Sequence, residues 1–136
     1  GLADQARQRY VIALADVNLQ ILRQMGASLR IPVIAAQVVP LARSSTPVVM
    51  SYRATLARLF DEPTSSLSLA GYLAARYTQQ VLSGIQGAMD RASVLAAFQQ
   101  RQATDLGGFR VSYDARGLGG SYVTQSMLTA EGREIG

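Results

Sequence analysis

The chain has 136 residues, of which 49% are hydrophobic and 16% charged, so it is long and apolar enough for a folded domain and is not a disordered chain. It contains neither cysteine nor histidine, which excludes disulfides, thiol chemistry and the commonest catalytic base and metal ligand. The net charge is +4, but the 13 basic residues are all arginines scattered singly, a pattern that does not indicate a nucleic-acid-binding surface.

The hydropathy of the chain indicates a soluble protein. Mean hydropathy is +0.12, and no apolar run approaches the roughly 20 residues needed to span a bilayer. The first five residues, GLADQ, lack the basic region and apolar core of a signal peptide. We therefore expect either that a leader has been removed or that the sequence is an internal piece of a longer chain.

Two apolar segments in the first forty residues predict strands. YVIALA at residues 10–15 predicts a buried parallel strand, because such strands are apolar on both faces and do not alternate. Asp16 or Asn18 would cap a following helix that ends at Gly26. IPVIAAQVVP at residues 31–40 predicts the second strand, with a proline near each end.

Three amphipathic helices are predicted next. The first starts at SSTP, residues 44–47, where a hydroxyl cap precedes Pro47 at the first helical position. The second covers about residues 66–87, and Asp90 caps a shorter third helix. Their apolar side chains recur every three or four residues; they are Val49, Tyr52, Leu56, Leu59 and Phe60, then Leu69, Leu73, Tyr77, Val81 and Ile85, then Leu95, Ala96 and Phe98. These faces are larger than two strands can cover, so we expect them to pack on a sheet outside this chain.

The last part of the chain is rich in glycine from Asp105 onward, which predicts short strands joined by turns. Gly107 and Gly108 indicate a turn with unusual backbone angles and not a phosphate-binding loop, because no lysine and no helix follow them. The alternation across residues 121–129 predicts a final strand. The expected order is strand, helix, strand, three helices and two or three short strands.

Six short segments, in the right order, resemble the type I periplasmic solute-binding proteins of the branched-chain amino-acid (Leu/Ile/Val-binding) ABC transporter class. They are QVVP (37–40), VVMSYR (48–53), LAGYLAAR (69–76), DRASV (90–94), DLGGFRV (105–111) and GSYV (120–123). The resemblance covers nearly the whole chain and implies an α/β fold, a parallel sheet flanked by helices, that is incomplete here. It identifies the chain as the C-terminal portion of such a protein.

The resemblance also implies a division into lobes. Residues 1–40 would form a strand-helix-strand segment of the second lobe, residues 41–112 a helical segment of the first lobe, and residues 113–136 closing strands that return to the second. In this family two lobes close on a small ligand, and a transporter reads the closed state. The implied function is an extracytoplasmic, periplasmic receptor that delivers amino acids or related small molecules to an ABC transporter permease, without cofactor, nucleic acid or catalysis.

The resemblance assigns candidate ligand-binding residues in two places. The loop after the first strand offers Ala15 and Asp16, where Asp16 would hold an ammonium group; its alternative role is a helix N-cap. The start of the second long helix offers Ser66, Leu67 and Ser68, where Leu67 matches an apolar wall of the family's site. Their alternatives are a cap for Ser66 and ordinary core for Leu67. Tyr72, on the same helix, is expected to pack and not to touch ligand.

Two other function classes, an enzyme and a sensor domain, are alternatives to the receptor. An enzyme without histidine or cysteine would need carboxylates, tyrosine or serine, and Asp61 and Glu62, the only adjacent acidic pair, fall in a predicted loop. A sensor domain of a receptor or regulator can use the same fold with no transport role. Whatever the function, uncovered helix faces would make the isolated chain prone to self-association.

Overall fold

The chain divides into two structural units, the sheet unit and the helical unit. A computed structural model describes residues 10–15, 17, 21, 32–100, 102–129 and 133–136. The sheet unit comprises Gly1–Leu41 and Tyr122–Gly136, and the helical unit comprises Ala42–Ser121. In chain order the described elements are β1 (Val11–Ala13), β2 (Val33–Gln37), α1 (Pro47–Leu59), α2 (Ser66–Ser83), α3 (Arg91–Gln99), β3 (Thr104–Asp105), β4 (Arg110–Val111), β5 (Thr124–Leu128) and β6 (Glu134–Ile135).

The helical unit and the predicted first-lobe segment, residues 41–112, end at different residues. The chain leaves the helical unit after Ser121 and not after residue 112. The intervening residues stay with this unit because the ring of Tyr113 packs 5.6 Å from that of Tyr77, and the amide of Asp114 donates to the carbonyl of Leu118 at 2.9 Å. Which lobe each unit represents stays a prediction.

The sheet unit contains a mixed sheet in the order β1-β2-β5-β6. β1 and β2 are parallel, with Val11 opposite Val33, whereas β5 is antiparallel to both β2 and β6. Alternate residues of β2 point to one buried face. The core of that face consists of Ala13, Val33, Ala35 and Leu128.

β1 is less buried than its apolar sequence predicts. Only Ala13 of this strand is buried, while Ile12 is 70% exposed and Val11, Tyr10 and Leu14 are exposed too. The expectation of a fully buried strand is therefore wrong for this chain. β1 is an edge strand of the described sheet, so its outer side chains have no neighbouring strand. The helix predicted between the two strands, with Asp16 and Asn18, lies almost entirely outside the described residues.

The predicted start of α1 is confirmed. Pro47 is the first helical residue, Thr46 is the N-cap, and the hydroxyl of Ser44 accepts the amide of Thr46 at 3.2 Å. The amide of Val48 lies in the first turn of α1, where it has no acceptor within the helix. It donates instead to the carbonyl of Gly107 at 3.1 Å, so this turn is bonded to the glycine turn.

The glycine turn has the backbone angles that the sequence predicts. Gly107 and Gly108 have φ of 96° and 84°, a region that glycine adopts without steric cost. One carboxylate oxygen of Asp105 accepts the amides of both glycines, at 2.6 and 2.9 Å. The amides of Gly108 and Gly107 hold the pKa of Asp105 below its usual value, because they stabilise the charged form.

The apolar stripes of the helices are covered to different degrees. In α2, Leu69, Leu73 and Tyr77 are buried, as predicted. In α1, however, Leu59 and Phe60, at its C-terminal end, are exposed although the stripe predicts burial. The described chain supplies no layer over this end of α1.

The third helix begins with a capping box. The carboxylate of Asp90 accepts the amide of Ser93 at 2.8 Å, and the hydroxyl of Ser93 accepts the amide of Asp90 at 3.0 Å. Ser93 also holds the pKa of Asp90 below its usual value through these hydrogen bonds. Asp90 is thus the cap that the sequence predicts, although no residue of α3 is fully buried. None of the helices in the described ranges is both long and apolar enough to span a bilayer.

Candidate ligand-binding site

Three of the predicted ligand residues lie together in the first turn of α2. Ser65 is the N-cap, with extended backbone angles of φ −141° and ψ 159°, and Ser66 is the first helical residue. Leu67 is 82% exposed, whereas Ser66 and Ser68 are half-buried. The alternatives considered from the sequence are therefore wrong: Ser65 and not Ser66 caps the helix, and Leu67 is not a core residue.

The first turn of α2 leaves two backbone donors available. The amide of Ser68 donates to the hydroxyl of Ser65 at 3.1 Å, and the amide of Leu69 donates to its carbonyl at 3.0 Å. The amides of Ser66 and Leu67 have no acceptor among the described residues. Two such donors at the positive end of a helix form an arrangement that can bind a carboxylate.

A cluster of hydroxyl groups behind this turn was not predicted from the sequence. Tyr52, in α1, is only 2% exposed, and its hydroxyl lies 2.5 Å from that of Ser68. The amide of Ser65 donates to the same tyrosine oxygen at 3.1 Å. Helical spacing identified Tyr52 only as part of an apolar stripe, because periodicity reports which face is buried and not where a hydroxyl finds its partner.

Tyr72 packs as expected. Its ring centroid lies 5.6 Å from that of Tyr52 at an interplanar angle of 57°, a tilted aromatic pair. A cavity of about 280 Å³ opens beside the pair. The residues that line it are Tyr52, Thr55, Leu56, Phe60, Glu62, Ser68 and Tyr72. Ser68 therefore faces this cavity, whereas Ser66 and Leu67 do not line it.

The other two predicted ligand residues belong to the sheet unit. Ala15 is exposed and lies in the turn after β1, where the amide of Val17 donates to the carbonyl of Leu14 at 3.0 Å. Asp16 lies outside the described residues. The ligand contacts of all five residues stay predictions.

A second cavity in the helical unit contains none of the predicted ligand residues. It has a volume of about 700 Å³ and is lined by parts of α2, α3 and β3, including Gln80, Gln100 and Asp105. Among the residues described, no group of three or more acidic side chains is placed to hold a metal ion.

Solved structures of binding proteins share the fold of this chain. A possible leucine/isoleucine/valine-binding protein from Rhodopirellula baltica SH 1 matches with a TM-score of 0.75 and 26% sequence identity, over 92% of this chain and 35% of that protein. An extracellular ligand-binding receptor from Verminephrobacter eiseniae ef01-2 matches with a TM-score of 0.81 and 22% identity, over 95% of this chain and 38% of the receptor.

A substrate-binding periplasmic protein from Ralstonia solanacearum matches with a TM-score of 0.77 and 22% identity, over 91% of this chain and 37% of that protein. No protein-family model and no curated protein matches the sequence. The chain thus spans 35–38% of the length of the three binding proteins. It has the fold of a portion of a periplasmic ligand-binding protein, and the resemblance predicted from the six sequence segments is confirmed.

Proposed function

We propose that the chain is the C-terminal portion of an extracytoplasmic solute-binding receptor that delivers amino acids or related small molecules to an ABC transporter. The observation that carries the proposal is the match over more than nine-tenths of the chain to proteins described as ligand-binding. The role is non-catalytic: ligand binding and release require no covalent step and no cofactor.

The first turn of α2 supports a ligand that carries an acidic group. The amides of Ser66 and Leu67 are free to donate to a carboxylate, and the positive end of the helix dipole favours the negative charge. The exposed side chain of Leu67 offers an apolar surface beside them. A carboxylate next to an apolar group is the chemistry of an amino acid such as leucine or valine.

The ammonium group of such a ligand is assigned to Asp16 by the family resemblance alone. A carboxylate is the natural partner of an ammonium group, since the hydrogen bond between them is charge-assisted. Ala15, beside it, has no polar side chain, so it would contribute backbone groups or contact area to the same ligand.

The proposal is tested with the longer protein that contains this chain. Isothermal titration calorimetry against a panel of amino acids, amides and small aromatic acids should identify a ligand that the longer protein binds. The 136-residue chain alone should bind it far more weakly, because it supplies only part of the site. Micromolar binding by the monomeric chain would contradict this expectation, and a longer protein that binds no member of the panel would refute amino-acid recognition.

A variant that introduces a negative charge tests the role of α2. Leu67→Glu places a carboxylate beside the two free amides, so it should repel the ligand's carboxylate and lower affinity by tenfold or more, roughly the effect of one unfavourable charge contact. Leu95→Glu, at an exposed position of α3, is the matched control and should bind like the wild type. If both variants bind the ligand with equal affinity, the first turn of α2 is not part of the binding site.

Cell uptake separates transport from sensing. Deleting the gene for the longer protein should abolish uptake of the radiolabelled ligand at low concentration if the receptor serves a transporter. Unchanged uptake in the deletion strain would instead favour a sensor with the same fold.

A further inference from the structure

We propose that Tyr52 is a positioning residue for ligand binding, which acts by holding the first turn of α2 in its binding-competent conformation. The inference rests on the proposed function, because it gives that function a residue outside the ligand contacts. Tyr52 lies in α1, one helix away from the residues assigned to the ligand.

The hydroxyl of Tyr52 contacts the N-cap region of α2. It accepts the amide of Ser65 at 3.1 Å, lies 2.5 Å from the hydroxyl of Ser68, and lies 3.4 Å from the carbonyl of Ser65. One buried side-chain oxygen is thus bonded to both ends of the capping turn. Because an unsatisfied buried polar group is costly, these bonds favour a single arrangement of the turn.

Ser65 and Ser68 complete the tether. The hydroxyl of Ser65 accepts the amide of Ser68 at 3.1 Å, and the two serine hydroxyls lie 2.9 Å apart. The hydroxyl of Ser68 is therefore engaged within the helical unit. We accordingly assign Ser68 to positioning, and leave direct contact with the ligand to Ser66 and Leu67.

The two ligand-facing residues are placed between the tethered ones. Ser66 and Leu67 follow Ser65 and precede Ser68, so the directions of their amides depend on where those two serines are held. The ring of Tyr72, 5.6 Å from that of Tyr52, packs against the tyrosine that holds them. Loss of the Tyr52 hydroxyl would release the turn without removing any group that touches the ligand.

The chain offers a matched control in Tyr77. This residue is also buried, but the described residues give its hydroxyl no hydrogen-bond partner, and its ring packs against Phe98 and Tyr113. Tyr77→Phe therefore removes the hydroxyl of another buried tyrosine in the same unit without touching the first turn of α2.

The first experiment measures the turn itself and needs no ligand. Amide hydrogen exchange is measured at Ser65, Ser68 and Leu69, whose amides are hydrogen-bonded in this turn. The 136-residue chain is compared with Tyr52→Phe and Tyr77→Phe. Exchange in this turn should become roughly tenfold faster in Tyr52→Phe, the effect expected from losing one hydrogen bond, and stay unchanged in Tyr77→Phe. Equal exchange rates in the two variants would overturn the tether.

The second experiment measures ligand affinity in the longer protein with a double-mutant cycle. Tyr52→Phe and Ser68→Ala should each weaken binding by roughly tenfold, and the double variant should be little weaker than either, because both remove the same tether. A purely structural role would lower the melting temperature of Tyr52→Phe and leave its affinity for the ligand equal to that of Tyr77→Phe and the wild type.

The two experiments separate failure of the inference from failure of the proposed function. If the wild type binds an amino acid and Tyr52→Phe binds it equally well, the positioning role is wrong and the receptor function stands. If the wild type binds none, the receptor function fails, and the exchange rates still decide whether Tyr52 holds the turn. Should Tyr52→Phe fail to fold, Ser68→Ala against Tyr77→Phe makes the same comparison.

Discussion

Leu67 and Leu69 stand two residues apart in α2 and have opposite environments. Leu69 is 0% exposed and contributes to the core of the helical unit, whereas Leu67 is 82% exposed at the proposed ligand site. The two side chains are chemically identical, so their different roles follow from position alone: residues two apart on a helix face directions about 200° apart.

This pair gives a direct stability prediction. Leu69→Ala should lower the free energy of unfolding by about 2–5 kcal/mol, because it removes buried methyl groups and leaves a cavity. Leu67→Ala should change it by less than about 0.5 kcal/mol. Urea denaturation followed by circular dichroism measures both. Similar losses in the two variants would show that Leu67 is covered in solution.

At the scale of the elements, turns and caps determine where each helix begins. Two of these starts depend on neighbouring residues only, so they can be predicted from the sequence: the capping box of Asp90 and Ser93, and Pro47 after Thr46. The end of α2 differs from the prediction: the sequence predicts a helix to about residue 87, and the helix ends at Ser83, before Gly84. The apolar periodicity extends beyond the helix because Ile85, two residues after its end, is still half-buried.

Two glycines in different elements predict opposite responses to alanine. Gly71 lies within α2, and a Cβ built there meets no atom within 4 Å, so Gly71→Ala should stabilise the chain by about 0.5–1 kcal/mol. Gly107 has φ of 96°, and a Cβ there would lie 3.4 Å from both the Cβ of Pro47 and the amide nitrogen of Val48.

Gly107→Ala should therefore destabilise the chain by about 1–2 kcal/mol, because an L-residue is strained in this region and the turn holds the start of α1. Thermal denaturation monitored at 222 nm compares the two variants with the wild type. A melting temperature that rises for both would mean that the glycine turn is not formed in solution.

For the molecule as a whole, exposed apolar side chains occur in each unit. In the sheet unit the most exposed are Ile12, in edge strand β1, and Leu14, directly after it. In the helical unit they include Leu59 and Phe60 at the end of α1. Monomeric proteins rarely leave contiguous apolar surface of more than a few hundred Å² uncovered.

We expect the isolated chain to self-associate at micromolar concentration. Ile12→Lys should shift it toward monomer, because a lysine on an edge strand opposes pairing with another chain. Leu118→Lys, at an exposed loop position, is the control for the added charge and should associate like the wild type. Sedimentation equilibrium measures the change, and a wild-type chain that sediments only as a monomer would contradict the expectation.

The sequence by itself determined the order of the described elements as far as β5, the start of α1, the cap of α3 and the glycine turn, whereas β6 follows the strand predicted as the last. These features depend on local chemistry: a proline without an amide hydrogen, a carboxylate within reach of its own backbone, and a residue without a Cβ. Because six short segments resemble one family in the right order, the sequence also identified the fold that the binding-protein structures share with this chain.

Only the tertiary structure decided which apolar faces are covered and which hydroxyls meet. The sequence predicts a buried strand at β1, but most of this strand is exposed. The sequence predicts Tyr52 as part of an apolar stripe, but its hydroxyl also bonds to the first turn of α2. Burial and hydrogen bonding between distant residues depend on which elements pack together. Periodicity along one element does not show whether another element covers its apolar face.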